Sequence, residues 1–102
     1  MPENWIAALD EAKVKDNWIN VAYPSGISIL LIRKDGKIYA LRNRCQHMSC
    51  TLAGGKLEGF VLQCPCHDWR YDIRTGQFLD AKEFKLPTYE TRSEGGKVYV
   101  RM

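Results

Sequence analysis

Two short segments, CQHMSC beginning at Cys45 and CPCH ending at His67, hold all four cysteines and both histidines of the 102-residue chain. Soft sulfur and imidazole donors scattered by chance would not collect in about a fifth of the length, so the pattern points to a metal site. Each segment offers one thiolate and one imidazole, as Cys45-x-His47 and Cys64-x-x-His67, with sixteen residues between His47 and Cys64. Any fold of this chain must therefore bring two loops together around one centre.

If the two thiolates share one iron and the two imidazoles share another, the product is a 2Fe-2S centre with His replacing Cys on one iron. Structural zinc sites prefer two to four residues between paired ligands, and the single residue in Cys45-Gln46-His47 departs from that spacing. A zinc-stabilised interaction module nevertheless stays open as an alternative. A disulfide frame alone would leave two histidines beside the cysteines without a reason. The flanking sequence extends the pattern: GKIYALRNRCQHMSCTLAGGKLEG, then LQCPCHDWRYDIRTGQFL, then LPTYETRSEGGKVYV. Over essentially its whole length the chain resembles the Rieske family.

The resemblance implies an all-β Rieske fold in a single domain over residues 1–102. Antiparallel sheets would form a base, 1–42 and 83–102, with a smaller cluster-binding subdomain, 43–82, inserted between. It implies one Rieske-type 2Fe-2S cluster per chain, with Cys45 and Cys64 on a buried iron and His47 and His67 on an outer one. Cys50 and Cys66 match the extra cysteines that bridge the two loops in Rieske proteins of quinol-oxidising complexes. Met48 matches an apolar shield over the cluster. Tyr71 matches a hydroxyl that stabilises the reduced state, whereas Trp69 matches the lower-potential ferredoxins and oxygenases. Asp68 and Ser49 stand where relatives carry glycine, and the Asp68 carboxylate would favour the oxidised form. Asp80-Ala81-Lys82-Glu83 replaces a Gly-Pro-rich loop that covers the far side of the cluster in many relatives.

Two thiolates in place of four leave the oxidised core formally neutral, so an electron is added more easily. Such centres span about −150 to +300 mV, against about −400 mV for four-cysteine plant-type clusters. Ionisation of the outer histidine nitrogens is expected to lower the potential at alkaline pH. The function implied is one-electron transfer by a ferredoxin, from a reductase to a terminal oxidoreductase such as an oxygenase, with no catalytic residue. The alternative is a redox subunit of a larger respiratory or oxidase complex, which the extra cysteine pair and Tyr71 favour. The small subunit of some nitrite reductases keeps the fold but often lacks the ligands, and here all four ligand positions are filled.

With 45% apolar and 26% charged residues, the chain suits one globular domain with a modest core. Its net charge of +3 comes from basic residues interleaved with acids, which argues against nucleic acid as a partner. The longest aliphatic run, Ile27 to Ile32, is far too short for a membrane anchor. Met1 to Asp10 has no basic start and no apolar stretch of a secretory signal. A stand-alone, monomeric, cytoplasmic protein is the expectation.

Sustained helical periodicity is absent. Trp5-Ile6-Ala7, Trp18 to Tyr23, Ile27 to Arg33, Lys37 to Leu41, Leu62-Gln63, Trp69 to Asp72, Gln77 to Leu79, Tyr89 to Ser93 and Lys97 to Arg101 read as strands. Leu9 to Lys13 reads as a polar turn or short helix. Asp35-Gly36 is a strong two-residue hairpin signal, and Pro24-Ser25-Gly26, Thr75-Gly76 and Glu94-Gly95-Gly96 mark further turns. Trp5, Trp18, Tyr23, Tyr39, Tyr89 and Tyr99 are expected to pack in the core or across strands.

Overall fold

The computed structural model describes residues 5–44, 51–65 and 69–101. Among them twelve strands form: β1 Trp5–Asp10, β2 Asn20–Ala22, β3 Ile29–Lys34, β4 Lys37–Arg42, β5 Lys56–Glu58, β6 Val61–Gln63, β7 Arg70–Asp72, β8 Gln77–Phe78, β9 Ala81–Lys85, β10 Thr88–Tyr89, β11 Thr91–Glu94 and β12 Lys97–Arg101. They make three antiparallel sheets, β1-β12-β11, β10-β4-β3-β2 and β5-β6-β7-β8-β9. The all-β architecture expected from the sequence is the one observed.

The middle sheet is the organising layer. In β3 the four residues Ile29 to Ile32 are all completely buried. Alternate side chains leave opposite faces of a strand. Leu30 and Ile32, with Leu41, enter one core beside Leu52, Leu62, Tyr71, Ile73 and Leu86. Ile29 and Leu31, with Ala40, enter a second core beside Val98 and Val100. The continuous aliphatic run of β3 thus reflects burial on both faces, a pattern more usual in parallel sheets.

Turn chemistry sets the registers. Asp35 and Gly36 both have positive φ, 52° and 81°, as a type I′ turn requires, and β3 pairs β4 from Lys34↔Lys37 to Ile29↔Arg42. Gly95 and Gly96, at 60° and 82°, close the β11–β12 hairpin, so Glu94 belongs to the strand rather than to the turn. Leu9 likewise belongs to β1, which a bulge between Ala7 and Leu9 carries on to Asp10 so that Leu9 packs on the second core. The short helix begins only at Glu11, as a 3-10 turn over Glu11–Lys13.

Trp18 and Tyr23 overturn the packing expectation: they are 60% and 67% exposed. The strand between them is only Asn20–Ala22, and the buried Asn20 explains why. Its amide donates to the carbonyls of Lys15, Trp18 and Leu31, and its Oδ1 accepts from the Lys15 N–H. That closes residues 15–18 into a loop, turned by Asn17 at φ 53°, which carries the Trp18 ring outward beneath the Lys15 ammonium. Trp5, Tyr39, Tyr89 and Tyr99 lie half-buried on strands, as expected. Residues 81–83, where relatives carry a Gly-Pro-rich loop, form most of β9, an exposed edge strand.

Candidate metal centre

Cys64 follows directly on β6, and of the candidate ligands it alone lies among the described residues. It is completely buried, against Leu52, Leu62 and Tyr71. Its N–H donates to the Trp69 carbonyl at 2.7 Å, joining the described residues on either side of 66–68. The candidates Cys45, His47, Met48, Cys50, Cys66, His67 and Asp68 lie outside the described residues.

Both ends of the first ligand-bearing segment are held by Asn43, a buried polar residue. Its N–H donates to the Ser28 carbonyl at 3.1 Å and its Nδ2 to Ser28 Oγ at 3.0 Å. Its Oδ1 accepts the N–H groups of Leu52 and Ala53, at 2.7 and 3.0 Å. One side chain therefore ties the residue that precedes the segment to the residues that follow it, and both to the middle sheet. Unsatisfied buried N–H groups are costly, so this clamp is specific as well as cohesive.

The returning limb of that segment meets the second one at two glycines. A Cβ on Gly55 would overlap the Gln63 carbonyl, and one on Gly54 would lie 4.0 Å from Pro65 Cγ. Gly55 also donates to Leu52, at 3.0 Å. Gly55 is thereby pressed against Gln63, the last residue of the strand that leads into Cys64. Neither Asn43 nor Gly55 was legible as a site residue, because the groups they contact are distant in sequence.

Behind the second segment stands an aromatic wall. Trp69 stacks on Phe78, ring centroids 3.9 Å apart and planes 5° from parallel, and tilts against Tyr71 and Phe84 at 6.4 and 6.3 Å. Tyr71 is completely buried, at the centre of the rung Leu62↔Tyr71↔Phe78. The structure thus brings together three residues singled out from sequence, Cys64, Trp69 and Tyr71. At the far end of β7, Asp72 takes a forked contact from Arg74, Nε to Oδ1 at 3.0 Å and a terminal nitrogen to Oδ2 at 3.1 Å. That side-chain hydrogen bond, above all, holds the Asp72 carboxyl below its usual pKa.

These residues fit an iron-sulfur cluster. A thiol completely buried among apolar side chains is a water-excluded position for a soft sulfur ligand.

Residues 4–90 match the Rieske [2Fe-2S] domain. The chain is 32% identical to the ferredoxin component of the naphthalene 1,2-dioxygenase system of Pseudomonas aeruginosa, over 98% of this chain and 97% of the relative. It is 29% identical to the ferredoxin component of the alkene monooxygenase system of Xanthobacter autotrophicus, over 93% and 81%. Among solved structures, a chain from the complex of reduced oxygenase and oxidized ferredoxin in carbazole 1,9a-dioxygenase shares the fold, with a TM-score of 0.85 at 24% identity, covering 97% of this chain and 94% of that one. A chain from the carbazole-bound oxygenase and ferredoxin complex superposes with a TM-score of 0.90 at 22% identity, and this chain spans 28% of its length.

Proposed function

This chain belongs to the Rieske [2Fe-2S] domain family, and on that premise we propose that it is a ferredoxin that carries single electrons from a reductase to a terminal oxygenase. The cluster supplies a one-electron couple when bound. The protein transforms no substrate, and its residues bind the centre, exclude water from it and present one end of the molecule to redox partners. The reading places Cys45 and Cys64 on one iron and His47 and His67 on the other. The observation that carries it is the complete burial of Cys64, whose N–H bonds the Trp69 carbonyl, with Asn43 bonding the residues that follow the first candidate segment.

Within this reading Met48 shields the centre, Asp68 and Trp69 lower its potential and Tyr71 raises it. A Cys50–Cys66 bridge joins the two loops, and the carrier works as a cytoplasmic monomer. No helix among the described residues is long and apolar enough to cross a membrane.

An anaerobic redox titration, followed by visible absorbance and EPR at neutral and alkaline pH, tests the proposal. It predicts a reducible chromophore with two irons and two sulfides per chain. Its midpoint should lie in the lower part of the range of about −150 to +300 mV. A colourless, zinc-containing protein would sink the reading, and a midpoint well above zero would redirect it to a respiratory complex.

A further inference from the structure

We propose that the end of the molecule bearing Cys64 is a basic docking face, and that the protein which seats on it presents carboxylates. The inference rests on the electron-carrier reading above and adds the chemistry of the partner.

Across the five-stranded sheet, Lys56, Gln63 and Arg70 stand directly opposite one another, Lys56↔Gln63 on β5 and β6 and Gln63↔Arg70 on β6 and β7. Residues opposed in this way share a face, and strands lie about 4.8 Å apart, so Lys56 and Arg70 are about 10 Å from each other. The adjacent rung, Leu57, Leu62 and Tyr71, points the other way, and its Leu62 and Tyr71 are completely buried in the core. The Lys56–Arg70 rung is also the one that flanks the second candidate segment. Gln63 precedes Cys64, and Arg70 follows Trp69, whose carbonyl accepts the Cys64 N–H. Arg44, which precedes Cys45 in the chain, is exposed as well.

None of Arg44, Lys56 and Arg70 has a carboxylate within ion-pair distance among the described residues. Elsewhere five cations are paired, Lys13 with Asp10, Arg33 with Glu11 and Asp16, Arg74 with Asp72, Arg92 with Glu94 and Arg101 with Glu90, while Lys15, Lys34, Lys37, Lys82, Lys85 and Lys97 have no such partner among the described residues, so the pairing alone does not mark this face. What marks it is the count of charges along the sequence, which are interleaved overall but uneven here. From Arg42 to Lys56 and from Gln63 to Arg70 stand four basic residues against one acid, Asp68, while the other eleven basic and eleven acidic residues balance. The whole net charge of +3 therefore belongs to the segments that carry the candidate ligands. A charge concentrated where the electron leaves steers an oppositely charged surface to that place, and the steering fades with salt.

The test follows oxidation of the reduced protein by plastocyanin, an acidic copper protein, and by cytochrome c, a basic haem protein, as NaCl is raised. The plastocyanin rate should fall about tenfold or more with salt while the cytochrome c rate rises. Lys56→Glu with Arg70→Glu should abolish the fall, and Lys56→Gln with Arg70→Gln should flatten it, both with the visible spectrum intact. Lys37→Glu with Lys97→Glu, the same charge change on the hairpins of the other two sheets, should leave the fall in place. A plastocyanin rate indifferent to salt, or equal effects of the two reversals, would overturn the docking face alone. Failure to reduce either acceptor would overturn the electron-carrier reading beneath it.

Discussion

The two sheets that enclose β3 and β4 are built on different principles. On one side β1, β12 and β11, of six, five and four residues, form a ribbon of continuous ladders interrupted by one bulge between Ala7 and Leu9. On the other, β5, β6, β7 and β8 have two or three residues each. Strands so short contribute few ladder bonds, and that side is held by Asn43, by glycine-to-backbone contact and by the Trp69–Phe78 stack. The ribbon is held by its ladders and by the core that Val98 and Val100 share with the middle sheet, whereas the sheet that carries Cys64 depends on point contacts and on what it binds.

Neighbouring residues of β3 give the sharpest way to break that contrast. Leu30→Ala and Leu31→Ala should each cost about 2–5 kcal/mol, because both leave a cavity in a closed core. Only Leu30 packs beside Cys64. Loss of visible absorbance during denaturation should therefore advance in the Leu30 variant well beyond its loss of β-sheet signal, and the two should move together for Leu31. Equal behaviour of the two variants would mean that the cores are one cooperative unit.

Asn43→Ala comes next. It strips the Leu52 and Ala53 N–H groups of their acceptor, at a cost of roughly 2–4 kcal/mol by chemical denaturation. Asn43→Asp keeps the acceptor and should recover part of that. The smallest effect belongs to Asp72. A carboxyl whose pKa is lowered on folding adds stability above its unfolded value, about 4, and loses it as pH falls through the lower folded value. The melting temperature of Asp72→Asn should thus trail the parent slightly at pH 7 and match it near pH 2. A constant gap across that range would place the contribution in packing instead of charge.

How much was legible depended on the range of the physics. The β3–β4 and β11–β12 hairpins were readable because the positive φ at Asp35-Gly36 and Gly95-Gly96 is a demand met within two residues. The candidate ligands were readable because thiol and imidazole chemistry is rare and was concentrated in two segments. Trp18 was not legible as exposed because an aromatic beside a strand looks the same whether it turns in or out, and the deciding bonds of Asn20 run to Lys15 and Leu31, while Tyr23 leads into the 3-10 turn Pro24–Gly26. Ala81–Lys85 was not legible as a strand, because its charged, exposed residues pair only with the short β8.

By itself, then, the sequence determined the all-β class, the turns, the family and the chemistry of the centre, each of which resides in residue types and near spacing. Tertiary structure alone decided that Ile29 to Ile32 would be buried on both faces, that Asn43 would bond Leu52 and Ala53 and that Lys56 and Arg70 would flank Gln63. Those outcomes depend on which strands meet, and the free energy of burying a side chain or pairing an N–H is set by partners far along the chain.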